Sequence, residues 1–258
     1  MLDQGRISLN GQNCIDPRQI VQAGDVLQIG ARTKTAGSIR GLKILYDDDD
    51  LLVVQKSAGL LSVATPHEHD RTAYARLKEY LSERNPKSKL FIVHRLDKFV
   101  SGLLVFAKSE KIKVGLKAAF QRHDIERKYW AIVEGSVPKD HGSIRSYLLE
   151  NRLYRMHSTE DKKAGKLAIT HYRVLRRFSR ITTLEITLET GRKNQIRAHL
   201  SELGHPIVGD RAYGSKTNPL GRLGLHAFCL GFAHPTQGTK LRFMTEPPSE
   251  FRRFIPKN

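Results

Sequence analysis

The amino-acid sequence predicts an α+β fold: a central sheet, largely antiparallel or mixed, flanked by helices. Three observations carry this. Short apolar or alternating runs of strand type outnumber stretches with helical spacing. The two kinds follow one another without the strict strand–helix–strand rhythm of a parallel, doubly wound sheet. No segment repeats at a fixed period. The 258 residues suffice for one sizeable core and a small appendage. The expected division is a short segment over residues 1–36 and a main domain over 37–258.

In the N-terminal segment, residues 6–12 read as a strand entering an Asn10-Gly11 turn. Residues 21–29 read as a Gly24-Asp25 turn followed by a short strand. Residues 31–38 are small, polar and basic, which suits a linker. Residues 51–54 and 60–64 then read as strands around Ser57-Ala58-Gly59. Residues 72–84 read as a helix, with Ala73, Tyr74, Leu77, Tyr80 and Leu81 on one face. Residues 103–107 form a strand of the fully buried kind, and Ile112, Leu116, Ala119 and Phe120 mark a second helix. Residues 129–133 are a strand, and 169–178 with 181–188 a hairpin whose apolar face is Leu184, Ile186 and Leu188. Residues 193–203 read as a helix closed by Gly204. Residues 225–232 and 240–244 are the last strands.

Lys and Arg number 44 against 26 Asp and Glu, a formal charge of +18 at pH 7. Such an excess points to a polyanionic partner, either nucleic acid or an acidic membrane face. Residues 151–258 hold 20 Lys/Arg against 8 acids, and residues 1–150 hold 24 against 18, so the C-terminal half is expected to carry more of the anion-binding surface. Cys14 and Cys229 make neither a metal pattern nor a disulfide framework. There is no apolar run of membrane-spanning length and no start resembling a signal peptide, so a cytoplasmic protein without a membrane partner is expected. The apolar content, 39%, argues against disorder. A phosphate-binding glycine loop, a dinucleotide fingerprint and a metal-ligand cluster are all absent. His67-Glu68-His69-Asp70 lacks a third ligand at recognisable spacing and reads as a solvated loop. Asp47-Asp48-Asp49-Asp50 lacks the spacing and glycine of a calcium loop and reads as a turn.

The most informative stretch is His94-Arg95-Leu96-Asp97-Lys98-Phe99-Val100-Ser101-Gly102, running into apolar residues and Ala107-Lys108. It sets one carboxylate, Asp97, between two cations and close to a Ser-Gly turn. Such a carboxylate stays ionised and can act as a nucleophile or as an anchor for a developing cation. A second run, Thr190-Gly191-Arg192-Lys193-Asn194-Gln195-Ile196-Arg197-Ala198-His199, joins strand to helix through Gly191. A helix start flanked by Arg192 and Lys193 is a natural phosphate site, and Gln195 beside them is a further candidate substrate contact. Tyr129 follows the basic pair Arg127-Lys128 at a strand start; from pattern alone it reads as a core residue.

These runs resemble the RluA-type pseudouridine synthases, whose members carry His-Arg-Leu-Asp, two variable residues, then usually Thr-Ser-Gly and an apolar strand. Val100 stands here where Thr is usual, and Ser57 where Pro usually follows Lys. Lys193-Asn194 replaces the commoner Thr-His of the family's Gly-Arg-Thr-His-Gln-Ile-Arg stretch. Residues 205–214, 225–227 and 234–235 are also family-like and suit scaffold and RNA contact; the match spans about residues 45–245 in order. The first 36 residues resemble the C-terminal part of the S-four-type RNA-binding domain, without its usual leading helices.

The resemblance implies an isomerisation that breaks the bond from ribose to uracil nitrogen-1 and rejoins the ribose to uracil carbon-5. It needs no redox cofactor, metal or nucleotide. Asp97 would be the indispensable carboxylate, Arg197 would hold it by a charge-assisted hydrogen bond, and Tyr129 would pack on the target uracil and handle the carbon-5 proton. The base must leave its stack first. Arg95 is the candidate to fill the vacated space, since a planar guanidinium stacks and hydrogen-bonds; an ion pair with a neighbouring carboxylate is its other reading. His94 is grouped with the substrate contacts, although its place also suits a structural role. The expected partner is RNA, large-subunit ribosomal RNA before transfer RNA, and the expected state a monomer. A non-catalytic RNA-binding protein on the same fold, a glycosylase or nuclease using Asp97 for hydrolysis, and a ribosome-associated structural protein are the alternatives.

Overall fold

A computed structural model describes residues 7–10, 12–13, 19–29 and 39–256. The chain divides into two compact units, one from Met1–Ile125 with Cys229–Thr245 and the other from Glu126–Phe228 with Glu246–Asn258. Residues 37–258 therefore contribute to both. Linker residues 31–38 lie outside the described residues.

In the first unit, β1 (Ile7–Leu9) pairs antiparallel with β2 (Gln12–Asn13) and with β3 (Leu27–Ile29). Asn10 takes the positive φ, 51°, that the expected turn requires. Its amide donates to Asp25 at 2.6 Å and accepts from the Val26 N–H at 2.9 Å, tying Asn10 to the Gly24-Asp25 turn. A hairpin follows, β4 (Leu42–Asp47) and β5 (Leu51–Lys56). Its turn is the tetra-aspartate run, where Asp48 Oδ1 accepts from the N–H groups of Asp50 and Leu51.

Helix α1 (Ala73–Arg84) is capped by Thr72, whose hydroxyl accepts from the Ala75 N–H, and buries Ala73, Leu77, Tyr80 and Leu81. The expected strand over 60–64 does not form. The carbonyls of Leu61 and Ser62 instead accept from the Ala73 and Tyr74 N–H groups, so an apolar run that looks extended serves to seat the start of a helix.

β6 (Phe91–Ile92) and β5 both pair antiparallel with β7 (Ser101–Ala107), which is buried along its whole length. Helix α2 (Glu110–Gln121), capped by Ser109, sets Ile112 and Leu116 into the core. The chain returns in the second half of β13 (Leu225–Ala233), which pairs antiparallel with β14 (Lys240–Met244). β14 meets β2 in parallel at Lys240 and Gln12, which makes the sheet mixed. Leu51, Val53, Leu103, Val105, Leu230 and Phe243 belong to one core cluster.

The second unit is built on an antiparallel run of strands, β10 (Met156–Thr159), β9 (His141–Glu150), β11 (Lys166–Arg177), β12 (Ile181–Leu188) and β8 (Glu126–Glu134), in that spatial order. Helix α3 (Gln195–Glu202) sets Ala198 in a buried cluster with Leu148, Ala168 and Tyr213. Ile132, Val208, Phe251 and Phe254 form a second cluster. Among the described residues, no helix is long and apolar enough to cross a membrane.

Candidate active site

Asp97 sits in the first unit, at the start of a tight turn between β6 and β7 in which the Val100 N–H donates to the Asp97 carbonyl at 3.1 Å. Both neighbours of Asp97 are clamped. Ser62 Oγ donates to the Leu96 carbonyl at 2.7 Å and accepts from the Leu96 N–H at 3.1 Å. The Lys98 carbonyl accepts from the Gly59 N–H at 2.8 Å and from Lys56 Nζ at 3.2 Å. Lys56 is fully buried, and its ammonium also donates to the carbonyls of Leu60 and Ser57 at 2.7 and 3.0 Å. A buried ammonium is tolerated only with such partners. Leu96 and Val100, at 5% and 2% exposure, anchor the turn in the core. The half-buried Asp97 carboxylate is thus carried by a backbone that cannot swing, the preorganisation that a reacting group needs.

His94 and Arg95 differ sharply. His94 Nε2 accepts from the Val105 N–H at 3.1 Å, and its ring lies 4.8 Å from that of Phe120. Expected among the substrate contacts, it has a structural task here, bracing the entry to the turn against β7. Arg95 is exposed, and no carboxylate among the described residues pairs with it.

The second unit holds the other candidates. Tyr129 is buried in β8 opposite Ile186 of β12. Two residues earlier, Arg127 donates to the carbonyls of Leu188 and Glu189 at 3.3 and 2.8 Å. Burial pushes its pKa down, and the Tyr129 phenol acts against that shift. A Cβ on Gly191 would lie 2.5 Å from Arg127 Nη1, so glycine lets the strand-to-helix turn approach the guanidinium closely.

In the run 190–197 the structure corrects two expectations. The helix begins at Gln195, not Lys193, because Asn194 takes a left-handed φ of 50°. Gln195, expected to meet substrate, is 2% exposed and fully engaged by protein. Its Nε2 donates to Ile169 O and Thr170 Oγ1 at 3.0 and 2.9 Å, and its Oε1 accepts from Thr190 Oγ1 and the Arg192 N–H at 2.8 and 3.0 Å. Every hydrogen-bonding position of the amide is used. The same contact occupies the Arg192 N–H that the expected phosphate cradle would offer. Arg192 is exposed, with Nε donating to Leu167 O at 2.9 Å, while Lys193 pairs with Glu150.

Arg197 makes a bidentate ion pair with Asp210, Nε to Oδ2 at 2.7 Å and Nη2 to Oδ1 at 2.8 Å, and Nη1 donates to Asn194 Oδ1 at 3.0 Å. Its guanidinium carbon lies 4.8 Å from the centre of the Tyr213 ring. Asp210, 3% exposed, was legible only as part of a family-like run with no role of its own.

Comparison with known proteins accounts for this combination of elements. The solved structures it resembles include human RNA pseudouridylate synthase domain containing 4 (TM-score 0.68, 24% identity, 83% of this chain and 93% of that one) and domain containing 1 (TM-score 0.64, 26% identity, 83% and 86%). The fold is that of a pseudouridine synthase. Residues 50–202 match the family described as RNA pseudouridylate synthase. Ribosomal large subunit pseudouridine synthase D of Vibrio cholerae is 33% identical over 96% of this chain and 81% of its own length, and the Yersinia pestis protein of that name is 32% identical over 97% and 82%. The chain belongs to the RNA pseudouridylate synthase family and is an RNA pseudouridine synthase, an isomerase.

Proposed function

We propose that this isomerase acts on uridines of large-subunit ribosomal RNA, with Asp97 as the carboxylate that meets the ribose. The clamped Asp97 turn is the observation that carries the site assignment: a half-buried carboxylate whose flanking residues are both fixed by buried partners, inside the family's own motif. The names of the relatives from Vibrio cholerae and Yersinia pestis support the choice of RNA. Glycosidic cleavage places electron demand on carbon-1′, and a carboxylate beside it answers that demand. In this reading Tyr129 packs on the flipped uracil and manages its carbon-5 proton, and Arg197 holds the Asp97 carboxylate. Exposed Arg95 fills the gap in the stack. Arg192 grips phosphate; Lys193 contributes less, because Glu150 already holds it. The segment 1–36 adds RNA contact, and the enzyme works in the cytoplasm as a monomer without cofactor.

The test is site-resolved pseudouridine mapping of total RNA from cells lacking the protein, complemented with the intact chain or with Asp97→Asn. One or more large-subunit sites should vanish and return only with the intact chain. Loss of a transfer-RNA site instead would move the substrate, and full restoration by Asp97→Asn would end the assignment of Asp97.

A further inference from the structure

The geometry points to Asp210 as a positioning residue for the reaction, acting through Arg197; this rests on the reading of Arg197 as the partner of Asp97. An arginine side chain has four flexible torsions, and a guanidinium that must meet a carboxylate edge-on gains from having its plane fixed beforehand. Asp210 supplies that constraint. Its two oxygens take the Nε and Nη2 hydrogens in parallel at 2.7 and 2.8 Å. Asn194 holds Nη1 at 3.0 Å, and the Tyr213 ring lies 4.8 Å from the guanidinium carbon. The bidentate grip uses one edge of the fork, so the edge for a second carboxylate is the Nη1/Nη2 end.

The carboxylate is itself held by a loop with little freedom. The Asp210 N–H donates to Ile207 O at 3.0 Å, and its carbonyl accepts from Tyr213 and Ser215 N–H groups at 3.0 and 3.1 Å. Gly209 has φ 78°, and a Cβ there would fall 2.5 Å from Arg222 O, which pins the approach to Asp210. On the far side, Glu134 Oε1 accepts from the Ser215 hydroxyl, the Lys216 N–H, and the Thr217 N–H and hydroxyl at 2.6–2.8 Å. Those bonds hold its carboxyl below the usual range against the opposing effect of burial. Glu134, the 215–217 loop, Asp210 and Arg197 thus form a continuous brace.

The experiment uses the full chain in excess over in-vitro-transcribed large-subunit ribosomal RNA labelled with tritium at uridine carbon-5, so that single-turnover tritium release reports the chemistry. Filter binding of the same RNA reports affinity. Asp210→Asn should slow release on the order of 10- to 100-fold while affinity stays within about threefold. Asp210→Glu should recover part of the rate. The double variant with Arg197→Ala should be no slower than Arg197→Ala alone, because Asp210 acts only through that side chain. An unchanged rate in Asp210→Asn, or a loss that multiplies in full onto Arg197→Ala, overturns the inference. Normal turnover by Arg197→Ala sinks the reading of Arg197 itself, and a slow Asp210→Asn beside it would show that Asp210 acts by another route. Thermal melts accompany each variant, and Asp210→Glu takes the place of Asp210→Asn in the cycle if the latter does not unfold cooperatively.

Discussion

Ser62 closes both backbone groups of Leu96, donating to its carbonyl at 2.7 Å and accepting from its N–H at 3.1 Å, 34 residues away in sequence. All the groups involved are buried, so Ser62→Ala leaves a donor and an acceptor without partners. Each such group costs about 1–3 kcal/mol. Urea unfolding of Ser62→Ala should therefore show a loss of about 2–4 kcal/mol. Because Leu96 immediately precedes Asp97, single-turnover isomerisation should also slow on the order of 10-fold. A variant as stable and as fast as the wild type would show that the clamp is incidental.

Gln195 carries a second prediction of the same kind at the other motif. Replacing it with methionine keeps the volume and removes four hydrogen bonds, two of them to the threonine hydroxyls at 170 and 190. The expected loss is about 3–5 kcal/mol, since the abandoned partners are buried. If RNA affinity falls while stability holds, Gln195 meets substrate after all.

What the sequence made legible follows from the range of each interaction. The buried strand read over 103–107 and the helix Ala73–Arg84 are local patterns and form much as they read, but the Ser101-Gly102 pair, read as a turn, opens β7 instead, and the turn falls at Asp97–Val100. The strand His141–Glu150 does not stand out in the sequence because its exposed positions are charged or polar and its inward face only partly buried, which blurs the alternation. The run 60–64 has strand-like apolarity, but its carbonyls serve α1. Within the 190–197 run, residue type suggested that Gln195 faces substrate; only the fold shows that Ile169, Thr170 and Thr190 surround it. The Asp210–Arg197 pair joins residues 13 apart across a loop, a distance at which no helical or strand period links them.

Arg95 is predicted to separate function from stability. It is exposed and unpaired among the described residues, so Arg95→Ala should change unfolding free energy by no more than about 0.5 kcal/mol. Pseudouridine formation on structured RNA should fall on the order of 10-fold. Arg95→Lys should not restore it, since an ammonium cannot stack in place of a base. Full activity in Arg95→Lys would reduce its role to charge alone.

Two buried histidines make stability depend on pH. His226 lies against Trp130 and Phe251, with ring centroids 5.9 and 6.2 Å away, and burial, helped by the Arg222 charge, pushes its pKa down to about 3 from 6.5. His199 is pushed down by burial as well. A hydrogen-bond chain supports its neutral form. Ser158 Oγ is 2.5 Å from Glu202 Oε2 and 2.8 Å from Ser146 Oγ. With the Ser158 proton on Glu202, Ser146 donates to Ser158, so His199 Nε2–H donates to Ser146 at 3.0 Å. Nδ1 then accepts from Thr170 at 2.9 Å, and the Thr170 oxygen accepts from Gln195. Protonating Nδ1 would abolish the bond it accepts from Thr170.

Both folded-state values lie below the unfolded one, so this stability is fully present above about pH 6.5. As pH falls, the unfolded chain takes up protons that the folded chain refuses. Each unit of decrease then removes up to about 1.4 kcal/mol per histidine, until the folded pKa is reached. Carboxylates held low, such as Asp48 and Glu134, act only below the unfolded carboxylate range near 4, which leaves pH 5 to 6.5 to the histidines. Urea unfolding at pH 5 should give a free energy below that at pH 7.5 by about 2 kcal/mol through His226, with His199 acting in the same direction, and His226→Phe should remove the His226 part. A His226→Phe profile parallel to the wild type would place the proton uptake elsewhere.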